Sequence, residues 1–100
     1  MGERVLIEVR READGARVVA VAGALTQGTL DEARHALRRH VSERGRGAVR
    51  VDLGAVEAID NFGVAMFGAV AAEARRRGVD FGVTRFSPLA AEAFRQAPGP

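Results

Sequence analysis

The segment from residue 49 to residue 66, VRVDLGAVEAIDNFGVAM, constrains the fold more than any other part of the chain. Its first five residues alternate apolar and polar side chains, which predicts a buried strand. Residues 54–59 are predicted to be a short loop, and Asn61 has the side-chain oxygen expected of a helix N-cap. A helix rich in small apolar residues follows. A strand joined to a helix by a short polar loop predicts an α/β domain with a polar corner between the two.

Two β-branched runs precede this segment. Residues 5–9 and 17–21 flank Asp14-Gly15, a dipeptide typical of tight hairpin turns, and so predict two antiparallel strands. After them, Thr29 followed three residues later by Glu32 indicates a capping box at the start of a helix. Because that helix lies between two strands, we expect the third strand to be parallel to one of the first two.

The signals after the second helix predict one more strand and one more helix. Residues 80–84 form the strand, and Ser87-Pro88 is typical of an N-cap followed by the first helical residue. The last helix then covers residues 88–96, with Leu89, Ala93 and Phe94 on its inward side. The order β-β-α-β-α-β-α predicts a single α/β domain over residues 1–100. Its mixed sheet has four strands, or five, and its helices lie mainly on one face.

Composition excludes several kinds of chemistry. The 100 residues include no cysteine, which rules out disulfides, thiolate metal sites and a cysteine nucleophile. His35 and His40 are five residues apart on one predicted helix and face different sides, so they do not form a metal-binding pair. The prediction is a protein without catalytic residues, metal or cofactor. No apolar run approaches the ~18 residues of a membrane span, so we expect a cytoplasmic protein without membrane insertion.

Arginine supplies all the basic charge of the chain. The 15 basic residues are all arginines, yet the formal net charge is only +2. They cluster at Arg10-Arg11, Arg38-Arg39 and Arg75-Arg76-Arg77, and the last two clusters lie in the final turns of predicted helices, where cations complement the helix dipole. No aromatic residue is interleaved with them, as a platform for stacked bases requires. We therefore expect no nucleic-acid partner.

Four short motifs occur in a distinctive order along the chain. They are Gly-x-Leu-Thr at residues 23–26, Asp-Leu-Gly-x-Val-x-x-Ile-Asp at 52–60, Arg-Arg-Arg-Gly-x-x-Phe-x-Val at 75–83, and Ser-Pro-x-x-x-x-x-Phe at 87–94. In this order and spacing the chain resembles STAS domains, the sulphate-transporter and anti-sigma-factor-antagonist family. The resemblance covers nearly the whole chain and implies a non-catalytic domain that binds a partner protein.

The resemblance also implies a position for a regulatory phosphate. In STAS domains of this type, a Ser or Thr often follows the aspartate that corresponds to Asp60, and a partner kinase phosphorylates it. Here that position is Asn61, and Phe62 follows it, so neither residue offers a hydroxyl. We therefore expect a domain that stays in its partner-binding form and is not switched by phosphorylation there. The sequence leaves open whether Thr84 or Ser87 is phosphorylated instead.

The predicted partner-binding residues lie in the loop and the helix start: Asp60, Asn61, Phe62, Gly63 and Glu57. Judged from the residues alone, Asp60 and Asn61 form an interface, an anion site or no more than a helix cap. Phe62 either faces outward as an anchor for a partner or reaches back beneath the loop as a core residue. If Phe62 and Phe67 are exposed, their side chains would also supply apolar surface for a homodimer.

Two binding functions follow from the resemblance. The first is a regulatory module of the anti-sigma-factor-antagonist type. It would bind a protein partner, a serine-kinase-like anti-sigma factor, through residues 60–63. The alternative is a cytoplasmic accessory STAS subunit of a lipid ABC-type membrane transporter, in which the same helix docks on the ATPase subunit. In both cases the mechanism is surface binding rather than chemistry.

Overall fold

Four strands and three helices make up residues 3–42 and 47–96, the part of the chain that the computed structural model describes. They follow in the order β1 (Val5–Arg11), β2 (Arg17–Leu25), α1 (Leu30–Ser42), β3 (Ala48–Ile59), α2 (Asn61–Arg77), β4 (Asp80–Phe86) and α3 (Pro88–Gln96). The strands form one sheet in the order β1-β2-β3-β4. β1 is antiparallel to β2, and the other neighbours are parallel. The α/β class, the element order and the four-stranded mixed sheet are confirmed, and the described residues contain no fifth strand.

The three helices share one hydrophobic core with the sheet. Alternate residues of the two central strands point into it, so that Val19, Val21, Val49, Val51 and Leu53 are almost completely buried. Each helix contributes one apolar side to the same cluster, through Leu30, Ala33, Leu37 and Val41 of α1, Met66, Phe67, Val70 and Ala74 of α2, and Ala90 of α3. The alternate apolar residues of the strands and the helically spaced apolar residues of α1 therefore pack together in a single layer between the sheet and the helices.

The hairpin between β1 and β2 is built as its sequence predicts. Gly15 has a φ of 89°, a left-handed conformation that a side chain disfavours. The Asp14 carboxylate accepts a hydrogen bond of 2.9 Å from the N–H of Ala16, which holds the turn closed. The strands extend beyond the predicted runs, because pairing continues from Val5 opposite Gly23 to Arg11 opposite Arg17.

β3 is twice as long as expected, and this corrects the prediction of a loop over residues 54–59. Parallel pairing with β2 continues until Ile59 lies opposite Leu25, through two register shifts. Gly54 and Ala55 interrupt the apolar alternation at the first shift, so the run resembles a loop in the sequence. Beyond it Val56 returns to the core and is 3% exposed. The irregular strand carries the chain to the end of the sheet before α2 begins.

The last helix, α3, is capped and attached as its sequence indicates, with one correction. Ser87 caps it: the Ser87 hydroxyl oxygen accepts a hydrogen bond of 3.1 Å from the N–H of Ala90. The aromatic ring of Phe94 lies 5.7 Å from Phe67 and 5.2 Å from Phe86, which ties α3 to the core. The prediction that Leu89 faces inward is wrong, because Ala90 takes the buried position and Leu89 is 46% exposed.

An acidic side chain joins α1 to α2. Glu73 of α2 accepts hydrogen bonds from the Nε of Arg38 on α1, at 3.0 Å, and from the Nε of Arg77, at 3.1 Å. Partial desolvation raises the pKa of the Glu73 carboxyl, but the hydrogen bonds and charges of Arg77 and Arg38 outweigh it, so the net pKa is lowered. The folded protein therefore favours the ionised form of Glu73.

This ion pair predicts a pH-dependent part of the stability that Glu73→Gln removes. A lowered folded-state pKa stabilises the fold above the unfolded value of about 4.5 and loses that contribution as the pH falls through the folded value. We expect the urea midpoint of the wild type to fall between about pH 6 and pH 3, and that of Glu73→Gln to fall less. Glu92→Gln is the matched control, because the partners of Glu92, Arg95 and Gln96, lie on its own helix. An equal reduction in the pH dependence of the urea midpoint in both variants would contradict the assignment to Glu73.

Candidate partner-binding site

The carboxylate of Asp60 connects the start of α2 to the loop between β2 and α1. Its Oδ1 accepts a hydrogen bond of 2.9 Å from the N–H of Gly63, and its Oδ2 accepts one of 2.9 Å from the N–H of Gln27. The N–H of Asp60 donates to the carbonyl of Leu25 at 3.3 Å, at the end of β2. One side chain thus caps a helix and holds a loop that is 33 residues away in the sequence.

Asp60, and not Asn61, is the N-cap of α2, which corrects the prediction. Asp60 has extended backbone angles, with φ −117° and ψ −178°, whereas Asn61 is already the first helical residue. Both residue types are good N-caps, so the choice depends on where β3 stops pairing with β2. The last paired residue is Ile59, which leaves the next residue, Asp60, in the capping position.

Gly63 brings α2 unusually close to the end of β2. A Cβ atom at this position would lie 2.4 Å from the carbonyl oxygen of Leu25 and 3.0 Å from Cγ1 of Ile59. Since the first contact is with backbone, the chain cannot relieve it by rotating a side chain. Gly63 therefore fixes the distance between α2 and the sheet rather than contacting a partner, although it lies within the predicted site.

The loop before α1 is held by its threonines, and the capping box predicted at Thr29 is replaced by a different arrangement. The Thr29 hydroxyl donates to the carbonyl of Ala24 at 2.7 Å and accepts from the N–H of Thr26 at 3.0 Å. The Thr26 hydroxyl donates to the carboxylate of Glu3. The Thr29 hydroxyl thus bonds within the loop and the Thr26 hydroxyl ties the loop to the segment before β1, while Gln27 and Gly28 form its exposed tip beside Asp60.

Two residues of the predicted site face the solvent from the first turn of α2. Asn61 is exposed, and the side chain of Phe62 is 57% exposed. Phe62 therefore has the outward orientation, and the interpretation of it as a core residue is wrong. Phe67 is only 4% exposed and packs on Phe94, so it offers no surface for self-association.

Glu57 is the member of the predicted site that lies apart from the first turn of α2. It sits on β3 instead of in a loop, and its side chain is exposed. It borders two surface grooves, one shared with Glu3 and Arg4 and the other with Pro88 and Leu89 of α3. The structure thus brings Asp60, Asn61 and Phe62 together and adds the Gln27 loop, while Glu57 marks the edge of the same end of the sheet.

Three other polar side chains, of β3, β4 and the start of α3, have structural partners. Oδ1 of Asp52 accepts a hydrogen bond of 2.8 Å from the N–H of Gly54, and Asp52 pairs with Arg85 at 3.8 Å. The Thr84 hydroxyl donates to the carbonyl of Val51, and Ser87, the cap of α3, is 7% exposed. Within residues 3–42 and 47–96, no group of three or more His, Cys, Asp or Glu side chains is placed to hold a metal ion.

The chain belongs to the STAS domain family. A family model described as "Mlab, STAS domain" matches residues 9–98. The predicted resemblance is therefore confirmed, and with it the α/β fold and the element order of the domain. No curated protein matches the sequence.

Three of the solved structures that share this fold are anti-sigma-factor antagonists. One, a STAS domain from Rhodobacter sphaeroides, has a TM-score of 0.68 and 18% identity, with 94% of this chain and 96% of that chain covered. An antagonist from Mycobacterium paratuberculosis has a TM-score of 0.75 and 23% identity, with coverage of 92% and 76%. SpoIIAA in its unphosphorylated form has a TM-score of 0.73 and 12% identity, with coverage of 90% and 78%. At these identities the likeness shows the fold alone.

The helices do not provide a membrane span. In the part of the chain that the structure describes, none of them combines the length and the apolar character needed to cross a bilayer.

The two bonds of Asp60 predict separate effects in Asp60→Asn. An asparagine can still accept the Gly63 N–H through its single carbonyl oxygen, but its NH₂ group cannot accept from Gln27. We expect a loss of about 1–2 kcal/mol in the free energy of unfolding. Amide hydrogen exchange is expected to become faster at Gln27 while Gly63 stays protected. Faster exchange at Gly63 alone would contradict the double role of Asp60.

The close approach at Gly63 predicts opposite results for two alanine substitutions in α2. Gly63→Ala places a Cβ against the Leu25 carbonyl, so we expect a loss of about 1–3 kcal/mol in the free energy of unfolding. Gly68→Ala is the matched control, because its Cβ would meet nothing within 4 Å. Since alanine favours a helix interior, this variant should gain about 0.5–1 kcal/mol. Chemical denaturation measures both, and equal stability of the two variants would contradict the account.

Proposed function

We propose that this chain is a non-catalytic regulatory domain of the anti-sigma-factor-antagonist type. It binds a protein partner through the corner formed by Gln27, Gly28, Asn61 and Phe62. Membership of the STAS domain family and the fold shared with anti-sigma-factor antagonists support a regulatory protein-interaction module. The partner expected from this resemblance is a serine-kinase-like anti-sigma factor.

The exposure of Phe62 is the observation that supports the choice of this surface. A phenylalanine in the first turn of a helix loses apolar contact when it projects into water, yet here more than half of its side chain is exposed. It stands beside Asn61 and the Gln27 loop, which Asp60 holds in fixed positions. Exposed aromatic side chains on a rigid polar frame are typical centres of protein interfaces, because binding costs little ordering entropy there.

The same geometry supports binding that is not switched by phosphorylation at position 61. Asn61 offers no hydroxyl for a phosphate ester, and its amide keeps the exposed position at the helix start neutral. Thr84 donates its hydroxyl to Val51, and Ser87 is buried as the cap of α3. A phosphate on Ser87 would have to displace that cap. We therefore propose that phosphorylation of Thr84 or Ser87 does not switch partner binding.

A second candidate function uses the same corner. The matched family model is described as "Mlab, STAS domain" and names no anti-sigma-factor antagonist, so we retain the transporter subunit as the second candidate. In that case the chain is an accessory subunit and the partner is the ATPase subunit of a membrane transporter. The identity of the captured partner separates the two functions.

The experiment is affinity capture with the full chain and two matched variants. Phe62→Ser removes the exposed ring, and we expect it to weaken partner binding by about 2 kcal/mol, or about thirtyfold, with unfolding unaffected. Val9→Ser is the control, because Val9 is 42% exposed on β1 and lies opposite Val19, toward the hairpin and away from this corner. Mass spectrometry identifies the partner, and titration calorimetry gives its affinity. Undiminished binding by Phe62→Ser would refute this surface.

Adding ATP to the captured complex tests the proposal that phosphorylation does not switch partner binding. If the partner is a kinase, we expect the wild-type chain to stay bound and to carry no phosphate by intact mass. Asn61→Ser supplies the missing acceptor, and in this variant ATP is expected to add a phosphate and release the partner. Phosphorylation and release of the wild-type chain would contradict the proposal.

A further inference from the structure

A groove lies between the end of β3 and the outer side of α3. Its floor is apolar and is formed by Ala58, Ile59, Leu89 and Ala93. Two exposed carboxylates border it, Glu57 on the strand and Glu92 on the helix, and Glu92 also pairs with Arg95 of its own helix. The groove has a volume of about 620 Å³, and Leu89 leaves 46% of its side chain in water.

This groove adjoins the corner that carries Phe62. Ile59 forms part of its floor, and the same side chain lies 3.0 Å from the position a Cβ would take on Gly63 in the first turn of α2. β2 and β3 finish together at this end of the sheet, where Ile59 lies opposite Leu25, whereas β4 finishes earlier, with Phe86 opposite Leu53. Apolar surface therefore extends from the start of α2 to the outer side of α3.

The charge at this end of the molecule is strongly negative. The described residues there include six carboxylates, Glu3, Asp31, Glu32, Glu57, Asp60 and Glu92. Arg4, Arg34 and Arg95 balance three of them, and Arg34 pairs directly with Asp31, which leaves a formal net charge of −3. The opposite end, where α1 and α2 finish in Arg38-Arg39 and Arg75-Arg76-Arg77, is basic. The chain is therefore electrically polarised along the direction of its parallel strands, although its net charge is small.

We propose that this groove binds a basic amphipathic helix of the partner protein, with apolar side chains on the floor and lysines or arginines toward Glu57 and Glu92. This inference rests on the proposed function, since it names the chemistry of the partner at the same end. Helix-in-groove recognition uses this combination of an apolar stripe and charged flanks. The polarity of the chain also favours correct encounters, because a basic partner is attracted to one end and repelled by the other.

A second copy of the chain is a poorer occupant than a basic segment. Two copies that meet groove to groove bring their acidic ends together, and like charges at an interface oppose association. At the centre of such a contact, Glu57 and Glu92 of one copy would face the same carboxylates of the other. The exposed apolar side chains Phe62 and Leu89 thus serve a partner of opposite charge instead of a symmetric dimer.

The test is a titration of the isotope-labelled full chain with two synthetic helices, followed by nuclear magnetic resonance. Both peptides carry the same leucine stripe, and the flanks are lysine in one and glutamate in the other. We expect the lysine helix to bind at least about tenfold more tightly, with chemical-shift changes centred on Ile59, Leu89 and Ala93. Raising the salt should reduce this difference, because exposed charges are screened.

Three variants identify the groove and the sign of its charge. Leu89→Ser removes an exposed apolar group, and we expect about tenfold weaker binding of the lysine helix. Glu57→Lys reverses a charge beside the floor and should weaken binding by about fivefold. Asp80→Lys makes the same charge change at the basic end, at the start of β4, and should alter the affinity by less than about twofold.

Several results would overturn the inference. They are equal affinity for the two peptides, no shift changes at millimolar peptide, shift changes centred on the ends of α1 and α2, or chain dimers whose formation blocks the lysine helix. The proposed function fails by a different result, capture of the partner by Phe62→Ser as efficiently as by the wild type. A chain that needs Phe62 for its partner but ignores the charge of the peptide keeps the proposed function and loses this inference.

Discussion

The carboxylate of Asp60 holds together the end of the sheet on which every proposed role of this chain depends. One oxygen caps α2 at the Gly63 N–H, and the other binds the Gln27 N–H in the loop before α1. Each bond satisfies a backbone donor that the helix or the loop would otherwise leave unpaired. Because both bonds converge on one residue, the Gln27 loop and the first turn of α2 form a single rigid surface.

The same constraint explains why this corner is suited to binding. Both oxygens of Asp60 already accept main-chain hydrogen bonds, so its carboxylate positions the neighbouring residues. Gly63 allows α2 to approach the Leu25 carbonyl closely, and Asn61 and Phe62 face outward from the turn that it fixes. A pre-ordered surface with an exposed aromatic ring loses little entropy when a partner docks on it. The acidic carboxylates around it select for a partner of positive charge.

The sequence predicted the element order and the location of this corner, because these depend on local patterns. Asp14-Gly15 is a local turn signal, and Ser87 caps α3 by accepting a hydrogen bond from Ala90, only three residues further along the chain. The identity of the α2 cap could not be predicted in this way. Asp60 and Asn61 are both good caps, and pairing of Ile59 with Leu25, a contact between distant segments, decides between them. The bond from Gln27 to Asp60 leaves no local signal, whereas Gly63 in a first helical turn was a sign of close backbone approach.

Hydrogen exchange of the chain with and without its captured partner tests the central claim most directly. The account predicts that amides in the Gln27 loop and in the first turn of α2 gain protection together, and that the final turns of α1 and α2 stay unchanged. Protection confined to the basic ends of those helices, or to the open face of the sheet around Leu6 and Ala22, would contradict it.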